Sequence, residues 1–199
     1  MFLYKYIWLV LMQYANNKIP QLTWRKEYSI NIKDNWSGWN KMNLEERLVK
    51  MLLDRNEKVS TAESCTGGLV AGKIVNVSGA SEVFDEGYVT YANKSKAKLL
   101  GVSKEILDNE GAVSKECAME MAIGCAKAAN AQLGLSTTGI AGPGGGTPDK
   151  PVGLVYFGCY YNGEVSYEKH IFKGNRLEVR TQAADKILEI AINKMTLKN

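Results

Sequence analysis

Four segments of the chain bring together residue types that do chemistry. In the first, residues 61–68 (TAESCTGG), Ser64 and Thr66 supply hydroxyls, and Gly67 and Gly68 follow where a strand pattern gives way to a helix. A helix start exposes unpaired N–H groups, so this turn suits an anion or a developing oxyanion. The same residues serve equally as an N-cap with glycines for a tight turn. The second segment, residues 139–146 (GIAGPGGG), has almost no side-chain bulk, so its backbone can approach a ligand closely. No Gly-Lys-Ser/Thr follows it, which excludes a P-loop. The third places Ser81, at the end of Gly79-Ala80-Ser81, ahead of Tyr88, Tyr91, Asn93, Lys94 and Lys96. By themselves these lysines also fit a solvated helix face. In the fourth, Arg176 and Arg180 stand four apart at a helix start and share a face. Two guanidiniums so placed can grip a phosphate, or can pair with Glu178 and Asp185 at the surface.

What is scarce narrows the chemistry further. His170 is the single histidine, so no multi-histidine metal site can be built. Cys65, Cys117, Cys125 and Cys159 lack the close spacing of a zinc knuckle or a CxxC pair. No multi-histidine or zinc-knuckle site is therefore expected, and a reduced, cytoplasmic location fits the cysteine usage.

The elements that must position these segments follow from periodicity. Residue 43 caps a helix whose face is Leu44, Leu48, Met51 and Leu52, with Glu45 and Glu46 in the first turn. Residues 58–62 read as a strand, 67–77 as a helix and 87–92 (GYVTYA) as a strand. Residues 94–100 and 104–109 read as short helices, and 114–129 as a longer one with Ser114 as N-cap. Residues 132–138 form a strand that leads into the glycine-rich loop. Residues 152–161 and 165–172 form a hairpin across Asn162-Gly163, and 176–195 close the chain as a helix. Strands alternating with helices, plus one hairpin, predict an α/β layered sandwich with a mixed sheet flanked by helices.

The first 41 residues are of a different kind. They hold all four tryptophans and the whole net charge of +4, and they sustain neither a 3.6 nor a 2 period. They read as an atypical or unstructured extension ahead of Met42, with residues 42–199 as the domain. The apolar run 2–12 is broken by Lys5 and reads as neither a signal peptide nor an interfacial helix. The remaining body is charge-balanced, so nucleic acid is not expected as a partner, and no stretch has the ~20 apolar residues of a membrane span.

Taken in order and spacing, AESCTGG (62–68), GAS (79–81), GYVTYANKSK (87–96), GAVS (111–114), TGIAGPGGG (138–146), KPVGLVYF (150–157) and FKGNRLEVR (172–180) resemble one family. It is the C-terminal domain of competence/damage-inducible protein A, which in stand-alone form is a nicotinamide-nucleotide amidohydrolase. The resemblance covers roughly residues 43–195. It implies hydrolysis of the carboxamide of nicotinamide mononucleotide to nicotinate mononucleotide and ammonia, with no metal and no cofactor, by a homo-oligomer, often a dimer. Forty-one residues cannot hold the molybdopterin-binding-like domain of the larger relatives, so that domain's activities are not implied.

Amide hydrolysis needs a nucleophile, a base and donors for the oxyanion. The resemblance puts the base at Lys96 and makes Ser64 and Ser81 competing nucleophiles. Ser81 paired with Lys96 is the first choice, leaving Ser64 and Thr66 to bind or orient substrate beside Gly67. Tyr91 is placed to relay a proton or stack on the pyridine ring. Thr138, Gly139 and Gly142 are placed to hold the carboxamide or ribose, and Arg176 and Arg180 the phosphate. Cys65 reads as a small buried hydrophobe. The alternative to an enzyme is a nucleotide- or partner-binding module linked to competence or DNA repair, without turnover.

Overall fold

The computed structural model describes residues 41–197; the expectations for residues 1–40, including the apolar run 2–12, lie outside the described residues. Helix α1 (Leu44–Arg55) starts at a complete capping box. The Asn43 side chain accepts the Glu46 N–H, and the Glu46 carboxylate accepts the Asn43 N–H. Strand β1 (Val59–Glu63) is buried along its whole length, as a strand covered on both faces must be. Helix α2 (Leu69–Val75) and a short 3-10 turn (Ala80–Glu82) lead to β2 (Phe84–Val89). Then come α3 (Asn93–Leu100), α4 (Lys104–Asn109), α5 (Lys115–Ala128), β3 (Leu133–Gly139), β4 (Leu154–Tyr161), β5 (Glu164–Ile171) and α6 (Arg176–Leu197).

The five strands form one sheet in the order β2-β1-β3-β4-β5. The first three run parallel, and β4 and β5 are antiparallel. The predicted mixed sheet in an α/β sandwich is therefore what is observed. The hairpin turns at Asn162 and Gly163, both with positive φ. Helix α5 covers one face of the sheet, while α1, α2 and α6 pack together on the other side. Helix α5 sits so close that a Cβ at Gly134 or Gly158 would collide with the carbonyl oxygens of Ala122 or Ala118. Among the described residues, no helix is long and apolar enough to cross a membrane.

Two shifts of boundary bear on the site. Strand β2 begins at Phe84 rather than 87, because parallel pairing with β1 matches Phe84 to Val59 and Val89 to Glu63. The β-rich tail, Thr90 to Ala92, runs past the end of β1 and turns into α3. Helix α2 begins two residues later than expected, because Gly67 and Gly68 both take positive φ. The consequence for function is alignment. The carboxyl ends of β1, β2 and β3 finish together, and the segments after them meet at one edge of the sheet, where open α/β sheets bind ligands.

Candidate active site

Lys96 lies in the first turn of α3, where its side chain is drawn wholly into the protein. Its amine is 3.0 Å from Ser64 Oγ, 2.8 Å from the Thr90 carbonyl oxygen and 3.3 Å from that of Tyr91. No carboxylate among the described residues pairs with it. Burial therefore pushes the amine below its ordinary value, and charge on the buried thiol groups of Cys117 and Cys65 would act against that shift. The hydrogen count is informative. A neutral amine has two N–H groups and one lone pair. In this structure the Lys96 amine donates to Ser64 Oγ as well as to the two carbonyls; on losing one proton it would keep both carbonyls and turn its lone pair to the Ser64 hydroxyl. Ser64 and Lys96 thus stand within hydrogen-bond reach of each other, the geometry that a serine and a desolvated lysine need to act together.

The turn that carries Ser64 is held by a residue sequence reasoning passed over. Glu63, at the end of β1, is 1% exposed. Its Oε2 accepts the Thr66 hydroxyl at 2.7 Å, Gly68 N–H at 2.9 Å and Val70 N–H at 3.0 Å; its Oε1 accepts Ala71 N–H at 2.8 Å. The single Thr66 hydroxyl proton goes to Glu63, so Thr137 donates to Thr66 Oγ1, at 2.6 Å. The α2 start is therefore not an open anion site: the protein's own carboxylate occupies it, and fully buried Thr66 belongs to that frame. The signal was present in the chain, as an acidic residue at a strand end just ahead of a glycine turn and a helix.

Ser64, Cys65, Tyr91, Lys96, Thr138 and Arg176 all line one cavity of about 210 Å³, with Gly139 and Ala141 on its wall. A second cavity, of about 480 Å³, shares Ala141 and Arg176 with it and continues to Gly142, Asn175 and Arg180. The Thr138 hydroxyl donates to the Ala112 carbonyl at 2.6 Å. Tyr91 is 63% exposed at the mouth, its hydroxyl accepting from Arg176 at 3.1 Å, and Arg176 also donates to the Gly142 carbonyl at 2.9 Å. Arg180 donates to the carbonyls of Cys65 and Thr66. Both guanidiniums expected to hold a phosphate are thus engaged with protein oxygens, on the walls of the larger cavity. Gly67, with φ +61°, brings the turn close to Arg180: a Cβ there would stand 3.3 Å from the guanidinium.

One expected partner is elsewhere. Ser81 is exposed in the 3-10 turn ahead of β2, whereas Lys96 follows the opposite end of that strand. The length of β2 separates them by about 20 Å at ~3.3 Å per residue, so the structure does not bring Ser81 to Lys96 within one chain. The parallel β1–β2 register decides this, because both strands carry their carboxyl ends to Ser64. Lys94 is exposed. His170 lies on β5, bonded to Glu168 at 2.9 Å and stacked on Phe172, apart from the cavity. Burial pushes the Cys65 thiol up to about 11, which keeps it a thiol at neutral pH.

The model of the CinA C-terminal domain family matches residues 41–195. The chain belongs to the CinA C-terminal domain family. A competence-damage inducible protein of Clostridium perfringens is 53% identical over 164 residues, covering 82% of this chain and 40% of that protein. A CinA-like protein of Kosmotoga olearia is 56% identical over 147 residues, covering 74% of this chain and 36% of its own length. The chain thus spans about two fifths of the length of these curated relatives. Among solved structures, the competence/damage inducible protein CihA of Agrobacterium tumefaciens is 42% identical with a TM-score of 0.73, covering 75% of this chain and 93% of that one. A CinA superfamily protein of Klebsiella pneumoniae is 31% identical with a TM-score of 0.75, covering 77% and 96%. The CinA-type domain in this chain carries the Ser64–Lys96 pair at the carboxyl edge of its parallel strands.

Proposed function

We propose that this CinA-type domain hydrolyses the carboxamide of nicotinamide mononucleotide to nicotinate mononucleotide and ammonia, with Ser64 as nucleophile and Lys96 as base. The observation that carries the reading is the 3.0 Å contact between a cavity-lining serine and a buried lysine amine that has no carboxylate partner among the described residues. Burial lowers the Lys96 amine's hold on its proton, and in its neutral form its lone pair takes the Ser64 proton as Oγ attacks the carboxamide carbon. The protonated amine then returns that proton to the leaving nitrogen, ammonia departs and an ester to Ser64 remains. Water attacks the ester, Lys96 takes a proton from it and restores the Ser64 hydroxyl, and the acid is released. The pyridine carboxamide fits the cavity of about 210 Å³ that holds the pair, and the ribose phosphate extends toward the cavity of about 480 Å³. The same reading has the domain work in the cytoplasm as a homo-dimer, which light scattering tests.

The experiment is ammonia release from nicotinamide mononucleotide by the purified chain, with chelator present. Ser64→Ala should lower kcat by at least about a thousandfold with the fold retained by circular dichroism, while Ser81→Ala keeps kcat within about tenfold. The reverse pattern would make Ser81 the nucleophile, served by a base other than Lys96 of its own chain. A wild-type chain that is stabilised by the mononucleotide but releases no ammonia would be a binding module instead.

A further inference from the structure

Resting on the amidohydrolase reading, we propose that Arg180 is a positioning residue for the nucleophile, holding the Ser64 turn by its carbonyls where Glu63 holds it by its N–H groups. Arg180 stands in the second turn of α6 and is half-buried. Its Nε donates to the Cys65 carbonyl at 3.1 Å and one terminal nitrogen donates to the Thr66 carbonyl at 2.6 Å. These are the two carbonyls that directly follow the Ser64 residue. A rigid guanidinium fork gripping both fixes two successive peptide planes at once. Because a peptide is planar and trans, the N–H groups of Thr66 and Gly67 are forced to point away from Arg180.

The two charged side chains divide the turn between them. Glu63 accepts the N–H groups of Gly68, Val70 and Ala71, which fixes the helical end of the turn. Arg180 accepts nothing and takes the carbonyls of 65 and 66, which fixes the end nearest Ser64. Between them lies Gly67 in a left-handed conformation, 3.3 Å from the guanidinium at the place where a Cβ would be. Any side chain at 67 would meet the fork, so the close approach of α6 to the turn depends on this glycine. The two arginines then have different work. Arg176 ties the cavity mouth together through Tyr91 and Gly142, and Arg180 sets the angle at which Ser64 meets Lys96.

Arg180→Lys tests this, because lysine keeps the charge but, as a single point, cannot hold two carbonyls at once. The expected result is a fall in kcat of about a hundredfold with KM within about threefold, as misplacing a nucleophile costs turnover rather than ground-state binding. A rise in KM with kcat unchanged would overturn the proposal and make Arg180 a ligand to the substrate's anionic group. A second measurement does not depend on turnover. Hydrogen exchange of wild type and variant should show faster exchange at residues 65–68, with β1 and the centre of α6 still protected; unchanged protection at 65–68 would overturn the proposal. If the wild-type chain itself releases no ammonia, the amidohydrolase reading has failed, and the exchange measurement alone decides whether Arg180 holds the turn.

Discussion

Replacing Glu63 with glutamine changes one atom in the frame of the Ser64 turn, and its cost can be worked from four contacts. Oε2 accepts three hydrogen bonds and Oε1 accepts one. In glutamine one of these oxygens becomes an NH2 group that only donates. The side chain settles with its oxygen at the Oε2 position, since the other choice strands three donors. Ala71 N–H then faces a second donor and loses its acceptor, which costs about 1–3 kcal/mol in a buried setting. The three surviving bonds change from charge-assisted to neutral, a loss of about 1 kcal/mol each. The neutral amide avoids part of the desolvation of a buried carboxylate, which offsets some of this. The net is about 2–4 kcal/mol, or a fall in melting temperature of roughly 5–15 °C for a domain of this size. Thermal unfolding followed by circular dichroism measures it, and ammonia release measures the effect on the turn, where kcat should fall with the loosened geometry. A melting temperature within about 2 °C of wild type, with normal turnover, would refute the assignment of Glu63 as the frame of the turn.

Other consequences of the site are as direct. Lys96→Met should abolish turnover and also change how stability depends on pH. Because folding lowers the amine below its ordinary value of 10.5, the unfolded chain binds more protons between the lowered value and 10.5. Wild-type stability should therefore rise with pH across that window, and the rise should be missing in Lys96→Met; urea unfolding at a series of pH values measures it, and equal slopes for the two proteins would contradict a lysine amine pushed down by burial. Cys65→Ala should keep kcat within about threefold, because a thiol raised to about 11 is scarcely ionised near neutral pH. Loss of turnover in that variant, with the fold intact, would move the nucleophile from Ser64 to its neighbour.

How much of this was legible in the chain depends on the range of the interaction that decides each feature. Features set within a few residues were readable. Asn43 and Ser114 cap their helices as side-chain acceptors, because a cap needs only its own first turn. The Asn162-Gly163 turn was readable because a two-residue hairpin with positive φ at both positions selects those residue types. The start of β2 was not, because its limits are set by pairing with β1, and of the residues that made 87–92 look like a strand, Thr90, Tyr91 and Ala92 overshoot it.

The candidate site divides in the same way. The chain by itself determined which residues were available: hydroxyls at 64, 66 and 81, lysines at 94 and 96, arginines at 176 and 180, and a single histidine, too few for a multi-histidine metal site. It did not determine which serine meets which lysine. Thirty-two residues separate Ser64 from Lys96 and fifteen separate Ser81 from it, so nearness along the chain favours a different serine from the one Lys96 contacts in space. Only the tertiary structure decided the pairing, because a parallel strand carries its two ends apart, and the aligned carboxyl ends of β1 and β2 deliver Ser64 and Lys96 to the same edge. The roles of Glu63 and Arg180 were closed to the sequence for the same reason. Each is an ordinary charged residue until packing removes water from it, and its acceptors or donors are backbone groups whose directions exist only once the turn, α2 and α6 have come together.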